Sequence, residues 1–177
     1  MADTLGSSHY PRCQEIPAEK AVYLLPGDYH FATSPTLIHT VLGSCISVVL
    51  FDPKTRYGAM CHAVFDTTGR STKVHDCMKY IDCAMERMFE DFLVHRIKPA
   101  HLTVKLFGGA AMINSRTVAS DLIQPGAKNV SLARKLLHEK GCVVTSEDCG
   151  GSEGRKIFFC SHTGDIFLKK IRRVRRL

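Results

Sequence analysis

The sequence predicts an α+β protein: a layered α/β sandwich of mixed, largely antiparallel β-sheets flanked by a few helices. Three observations carry that expectation. Short runs rich in β-branched and aromatic residues recur along most of the chain. Most neighbouring runs are separated only by Pro, Gly or Asp turns, which favours antiparallel pairing. Two segments alone show a helical period, so helices can cover part of the sheet surface but cannot alternate with every strand.

The elements follow in order. Residues 1–19 are polar and contain Pro11 and Pro17, and they read as a flexible N-terminal extension. Residues 20–177 show no repeat, low-complexity tract or shift of composition and read as a single domain. Strands are expected at 21–25 and 29–32, around the turn Pro26-Gly27, and at 36–42, leading into Gly43-Ser44-Cys45. Two apolar runs, 46–51 and 57–65, are divided by Asp52-Pro53-Lys54-Thr55-Arg56, a turn composition. Across 74–96, Met78, Ile81, Met85, Met88 and Phe92 recur at spacings of three and four, which predicts a helix whose Met-rich stripe fills a core. Residues 102–107 form a strand ending at Gly108-Gly109-Ala110. That turn lacks the lysine and fuller glycine pattern of a phosphate loop, so it reads as close backbone packing. A second helix is expected at 127–140 with Gly141 as its cap. Strands at 142–146, 156–160 and 166–171 complete the chain, linked by Gly150-Gly151 and Thr163-Gly164-Asp165.

Composition excludes several function classes. The formal charge is +7, but Lys169, Lys170, Arg172, Arg173, Arg175 and Arg176 carry most of it. The basic end 169–177 reads as a solvated strand end or tail, not a charged face for phosphates, so no nucleic-acid partner is expected. The longest strongly apolar run, 45–51, is far too short to cross a bilayer, and the N-terminus carries neither a basic nor an apolar leader. A cytoplasmic location without membrane insertion is expected. None of the eight cysteines forms a C-x-x-C pair, and most are expected to be free thiols in a reducing compartment. His75, Cys77 and Cys83 match no common metal spacing. Neither a metal nor a cofactor is expected.

The chemistry-bearing constellation lies between Thr40 and Val64. A hairpin centred between Pro53 and Lys54 would set Cys45 directly across from His62, and directly opposed residues on antiparallel strands share a face. An adjacent imidazolium would favour the thiolate, which can attack a carboxamide carbon. His62 would then protonate the departing ammonia and later activate water. The turn Gly43-Ser44-Cys45 can offer backbone N–H donors to the oxyanion, and Thr40 or Ser44 can orient the second nitrogen of His62. Cys61, on the opposite strand face from His62, reads as core. His39 reads as a polar strand-end residue.

At these residues the chain resembles the CheD family of chemoreceptor glutamine deamidases. The resemblance runs from about Val22 to Lys170, through Leu42-Gly43-Ser44-Cys45, Phe51-Asp52-Pro53, Gly58-Ala59-Met60-Cys61-His62, the run from Lys105 to Met112, Gly126-Ala127-Lys128-Asn129-Val130, Glu147-Asp148-Cys149-Gly150-Gly151 and Thr163-Gly164. It implies Cys45 as nucleophile and His62 as general base and acid. The family's catalytic threonine falls at Thr40, although the offset of some relatives would place His39 there. The implied activity converts glutamine side chains of methyl-accepting chemotaxis receptors to glutamate, with release of ammonia. A CheC-type phosphatase is an implied further partner. The alternative is a non-catalytic adaptor that binds chemoreceptors or such a phosphatase. The chain departs from simpler members in its N-terminal extension, in Cys61 beside His62, and in its basic end.

Overall fold

The computed structural model describes Ile16 and residues 20–66, 74–111 and 125–171. Among the described residues nine strands and two α-helices follow one another: β1 (Ala21–Tyr23), β2 (Tyr29–Ala32), β3 (Leu37–Leu42), β4 (Ile46–Asp52), β5 (Tyr57–Cys61), α1 (Ile81–Val94), β6 (Thr103–Gly108), α2 (Pro125–Glu139), β7 (Val144–Cys149), β8 (Gly154–Cys160) and β9 (Ile166–Ile171). They build two sheets, one ordered β1-β3-β8-β9 and the other β2-β5-β4-β6-β7. Among these described strands β1 with β3 and β6 with β7 pair in parallel, and the other pairs are antiparallel. The architecture is the expected α+β sandwich of mixed, mainly antiparallel sheets.

Alternation along β4 explains why three layers form. Its Ile46, Val48 and Leu50 face a core shared with the helices, through Ile81, Met85, Met88, Phe89 and Phe92 of α1 and Val130, Ala133 and Leu137 of α2. Val49 and Phe51 face the other way and meet Ile38, Leu42, Ile157 and Phe159 of the four-stranded sheet. All seven residues of β4 are buried, as a central strand covered on both faces requires. Each large apolar side chain so enclosed contributes about 1.5–3 kcal/mol. The Met-rich stripe of α1 therefore fills the core, as its spacing suggests.

Two corrections concern local structure. The segment expected to be one helix over 74–96 is a 3₁₀ helix (Val74–Lys79) followed by α1, broken at Tyr80. The break has a cause in competing hydrogen bonds: Lys79 O accepts from Val64 N and Phe65 N, and Ile81 N donates to Phe65 O. These bonds hold Tyr80 in an extended conformation (φ −98, ψ 138). Among the cysteines, Cys77 and Cys83 are joined in a disulfide with Cα atoms 5.7 Å apart, and Cys160 is disulfide-bonded too. Most thiols were expected to be free, and among the described residues Cys45, Cys61, Cys142 and Cys149 are. The short 3₁₀ turn brings Cys77 back onto the start of α1, a juxtaposition that the periodic pattern does not reveal.

The fully buried Arg155 of β8 joins the sheets at the end where β3 gives way to β4. Its Nε donates to Asp148 Oδ1 of β7 at 2.6 Å and its Nη2 to Gly150 O at 2.6 Å. Lys170 of β9, part of the basic end, also pairs with Asp148. The neighbouring Gly150-Gly151 turn bonds back to Gly108 O and Ala111 N, closing this end of the molecule. Ile16 packs against Cys160. The rest of the expected 1–19 extension, and the basic end beyond Ile171, lie outside the described residues.

Candidate active site

The β4–β5 hairpin carries two of the expected site residues, but its register differs from the one that spacing suggested. Asp52 pairs with Tyr57, Val49 with Met60, and Ile46 forms an isolated bridge with Ala63. The hairpin is thus centred between Lys54 and Thr55. Cys45 falls opposite Val64, and His62 is its diagonal neighbour, not its direct partner. The turn itself sets this register. Asp52 Oδ2 accepts from Thr55 N at 2.9 Å and from Thr55 Oγ1 at 2.6 Å, and Arg56 takes a positive φ of 61°, so four residues are accommodated between the strands. A slip of two positions leaves every side chain on its original face. Diagonal neighbours have Cβ atoms roughly 7 Å apart, still within reach of a ring.

Face and layer therefore survive the change of register. Cys45 packs against the core between the sheets, the layer that Val49 and Met60 also enter. Thr40 lies on β3 between Ile38 and Leu42, which face that same layer, and it is fully buried. Cys61 points instead into the helix-side core, where burial pushes its thiol up to about 11. His39, on the outer face of β3, stacks on Phe158 with ring centroids 5.5 Å apart. Of the two candidates for the threonine position, Thr40 is the one that meets His62.

Hydrogen bonding fixes the tautomer of His62. Thr40 Oγ1 donates its only proton to Leu24 O at 2.7 Å, so at 2.8 Å from His62 Nδ1 it must accept. Leu24 O, 3.4 Å from the same nitrogen, is an acceptor as well. Nδ1 therefore carries the hydrogen, and the lone pair is on Nε2. That nitrogen is buried and has no protein hydrogen-bond partner. The backbone is held as firmly as the ring: His62 N donates to Asp28 O, and Gly27 N donates to His62 O, each at 2.8 Å.

Burial also decides the resting charge state. It pushes the His62 pKa down, with the Leu24 carbonyl and the Asp28 carboxylate acting in the opposite direction. Burial pushes the half-buried Cys45 thiol up, partly offset by the residue's own backbone N–H. Both shifts favour a neutral thiol beside a neutral imidazole. In each group desolvation is the largest influence and acts against the charged form.

The turn before β4 is shaped by its carbonyls. Gly43 O accepts from Ala110 N and Cys45 O from Gly109 N, each at 2.8 Å, while Ser44 O accepts from Asn129 Nδ2 at 3.1 Å. A trans peptide points its C=O and N–H in opposite directions. The Ser44 and Cys45 N–H groups therefore point away from Ala110 and Asn129 respectively, and the Cys45 N–H lies against its own sulfur. Of Thr40 and Ser44, it is Thr40 whose side chain meets the His62 ring, together with the Leu24 carbonyl.

The glycines make this close seam possible. A Cβ on Gly108 (φ +108) would collide with Cys45 O, and one on Gly126 would lie 2.5 Å from Gly109 O. The first turn of α2 thereby rests on the Gly109-Ala110 backbone, which in turn holds Gly43 and Cys45. Asn129 was missed as a site residue in the sequence. Its signal was there: it is a polar residue on the stripe of Gly126, Val130, Ala133 and Leu137 that α2 buries.

A free thiol at Cys45 and a buried imidazole at His62 thus face one layer between the two sheets of an α+β sandwich. The chain belongs to the CheD family. The family described as CheD chemotactic sensory transduction matches residues 66–170. A probable chemoreceptor glutamine deamidase CheD 2 of Geobacter sulfurreducens is 43% identical over 152 residues, covering 86% of this chain and 91% of the relative. A probable chemoreceptor glutamine deamidase CheD of Maridesulfovibrio salexigens is 33% identical over 157 residues (86% and 92%). Its namesake in Thermococcus kodakarensis is 34% identical over 146 residues (82% and 89%). Among solved structures, the Bacillus licheniformis hypothetical protein YfiH superposes with a TM-score of 0.43 at 14% identity, over 71% of this chain and 50% of that one. The family match opens just past His62. No helix among the described residues is long and apolar enough to cross a membrane.

Proposed function

We propose that this chain is a cytoplasmic protein-glutamine deamidase that converts glutamine side chains of methyl-accepting chemotaxis receptors to glutamate. The observation that carries the reading is the unpartnered, buried Nε2 of His62, whose lone pair is set by the Thr40 hydroxyl on the far side of the ring. Resemblance to the named deamidases supplies the substrate class.

The chemistry starts from neutral groups. As the Cys45 sulfur attacks the carboxamide carbon, its proton passes to His62 Nε2, and the imidazolium so formed is supported by Thr40, the Leu24 carbonyl and Asp28. The backbone N–H groups of Ser44 and Cys45 receive the developing oxyanion, with Gly43 leaving their approach open. Collapse breaks the C–N bond, and the His62 proton leaves with ammonia. Nε2 then takes a proton from water, the hydroxide attacks the thioester, and the C–S bond breaks to give glutamate and the free thiol. Neither metal nor cofactor enters any step.

A purified receptor cytoplasmic fragment is expected to gain about one dalton per reactive glutamine, the amide-to-acid difference of such thiol chemistry. Cys45→Ala and His62→Ala should each abolish the gain. Full activity in Cys45→Ala would overturn the proposal. Receptor binding that persists without any mass gain in the wild type would favour the adaptor reading, and co-purification with a CheC-type phosphatase would identify its second partner.

A further inference from the structure

We propose that Asn129 is a positioning residue for the nucleophile, whose side-chain amide replaces a missing rung of the β4–β5 ladder and so aims the Ser44–Cys45 peptide at the substrate carbonyl. This rests on the deamidase reading and assigns a residue outside its cysteine, histidine and threonine.

The ladder shows why a substitute is needed. Ile46 and Ala63 exchange both backbone hydrogen bonds, at 2.9 Å each. In a regular antiparallel pair the next such rung would join Ser44 and Phe65. Phe65 N donates elsewhere, to Lys79 O at 3.0 Å, so Ser44 O receives nothing from the strand opposite. Asn129 Nδ2 fills the gap. It donates to Ser44 O at 3.1 Å and to Val64 O at 2.9 Å, tying the residue before the thiol to a residue just past His62. Asn129 is only 2 % exposed, and it projects from the helix whose first turn is locked against Gly109 and Ala110. A rigid element thus reaches across the point where the two strands part.

The orientation it imposes is specific. Ser44 O and Cys45 N–H belong to one planar peptide, so drawing the carbonyl toward Asn129 turns the N–H toward the sulfur and the space in front of it. Without that bond the peptide can rotate, and the donor to the oxyanion is no longer preorganised. The side-chain amide bonds to main-chain carbonyls. It works through the main chain.

The test uses the full-length protein and two readouts. Cys45 is labelled with iodoacetamide across neutral to alkaline pH and followed by peptide mass mapping, which separates it from Cys142 and Cys149; deamidation of the receptor fragment is measured in parallel. In Asn129→Ala and in Asn129→Asp, whose carboxylate has two acceptors facing two carbonyls, labelling should shift to higher pH by on the order of one unit, the scale of one lost hydrogen bond to a charged group. kcat should fall at least about tenfold while KM stays within about twofold, the pattern of an interaction made in the transition state. Asn129→Ser, which keeps one donor, should recover part of both and serves as the variant if the other two fold poorly. A folded variant with the wild-type labelling profile and wild-type kcat would overturn the assignment. Because labelling needs no receptor, a wild-type chain that left receptor glutamines untouched would defeat the deamidase reading while the thiol profile still decided the role of Asn129.

Discussion

Gly108→Ala isolates the contact between β6 and the nucleophile turn. The added methyl would collide with Cys45 O and sit 3.0 Å from Ile46 Cα, and the backbone would have to keep φ at +108. Ordinary carbon contacts are roughly 3.5–4 Å, so the Cys45 carbonyl must retreat by about 1 Å. Strain at such a φ costs about 1–3 kcal/mol and overpacking a similar amount, giving about 2–6 kcal/mol in all. A displacement of about 1 Å at the nucleophile should lower kcat on the order of a hundredfold. Gly141→Ala is the matched control: its φ is +72, but nothing lies within 4 Å of the added atom. It should lose about 1–2 kcal/mol and no activity. Urea denaturation and receptor-fragment deamidation, run on both variants, separate the two effects. If Gly108→Ala were as stable and as active as Gly141→Ala, the argument from close backbone approach would fail.

Further expectations concern the site and its surroundings. Thr40→Val keeps the shape but removes the acceptor for His62 Nδ1, so kcat should fall roughly ten- to a hundredfold with partial recovery in Thr40→Ser; an unchanged rate would separate the hydroxyl from the mechanism. Cys61→Ala should cost about 1–2 kcal/mol in a denaturant melt yet leave deamidation intact, since its sulfur lies on the helix side of the sheet. The acid limb of kcat/KM against pH should lie below the ordinary histidine value of about 6.5, because burial lowers the His62 pKa and Nε2 stays a base into mild acid. The same sign governs stability. His30, His39 and His62 all resist protonation in the folded state, so the unfolded chain binds more protons as pH drops below about 6.5, and the melting temperature should decline there. A melting temperature that rose over that interval would contradict the burial argument.

Much of this arrangement is legible in the sequence because it depends on periodicity. Alternation places Cys45 and His62 on one face and Cys61 on the other, and any even slip of register preserves that result. The register itself was misread because it is decided by side-chain bonds from Thr55 to Asp52 and a left-handed Arg56, which apolar patterning does not report. The single long helix failed at Tyr80 for a related reason: Phe65, distant in sequence, competes for the backbone there. The sequence does not report how far the two sheets desolvate Cys45 and His62, the influence that pushes each toward its neutral form. Asn129 stood in a quoted motif, yet its task appears only when the rung it replaces is seen to be missing.

The glycine seam restricts where this protein can diversify. Gly108, Gly109 and Gly126 meet main-chain atoms, which no compensating side-chain change can move aside. Drift or laboratory selection for new targets must therefore leave that junction untouched and act on replaceable surface groups such as the exposed Leu25 and Phe65, neighbours in sequence of the segments that grip His62. Reaction chemistry and target choice would then evolve on separate parts of the chain, the first nearly frozen and the second free to wander.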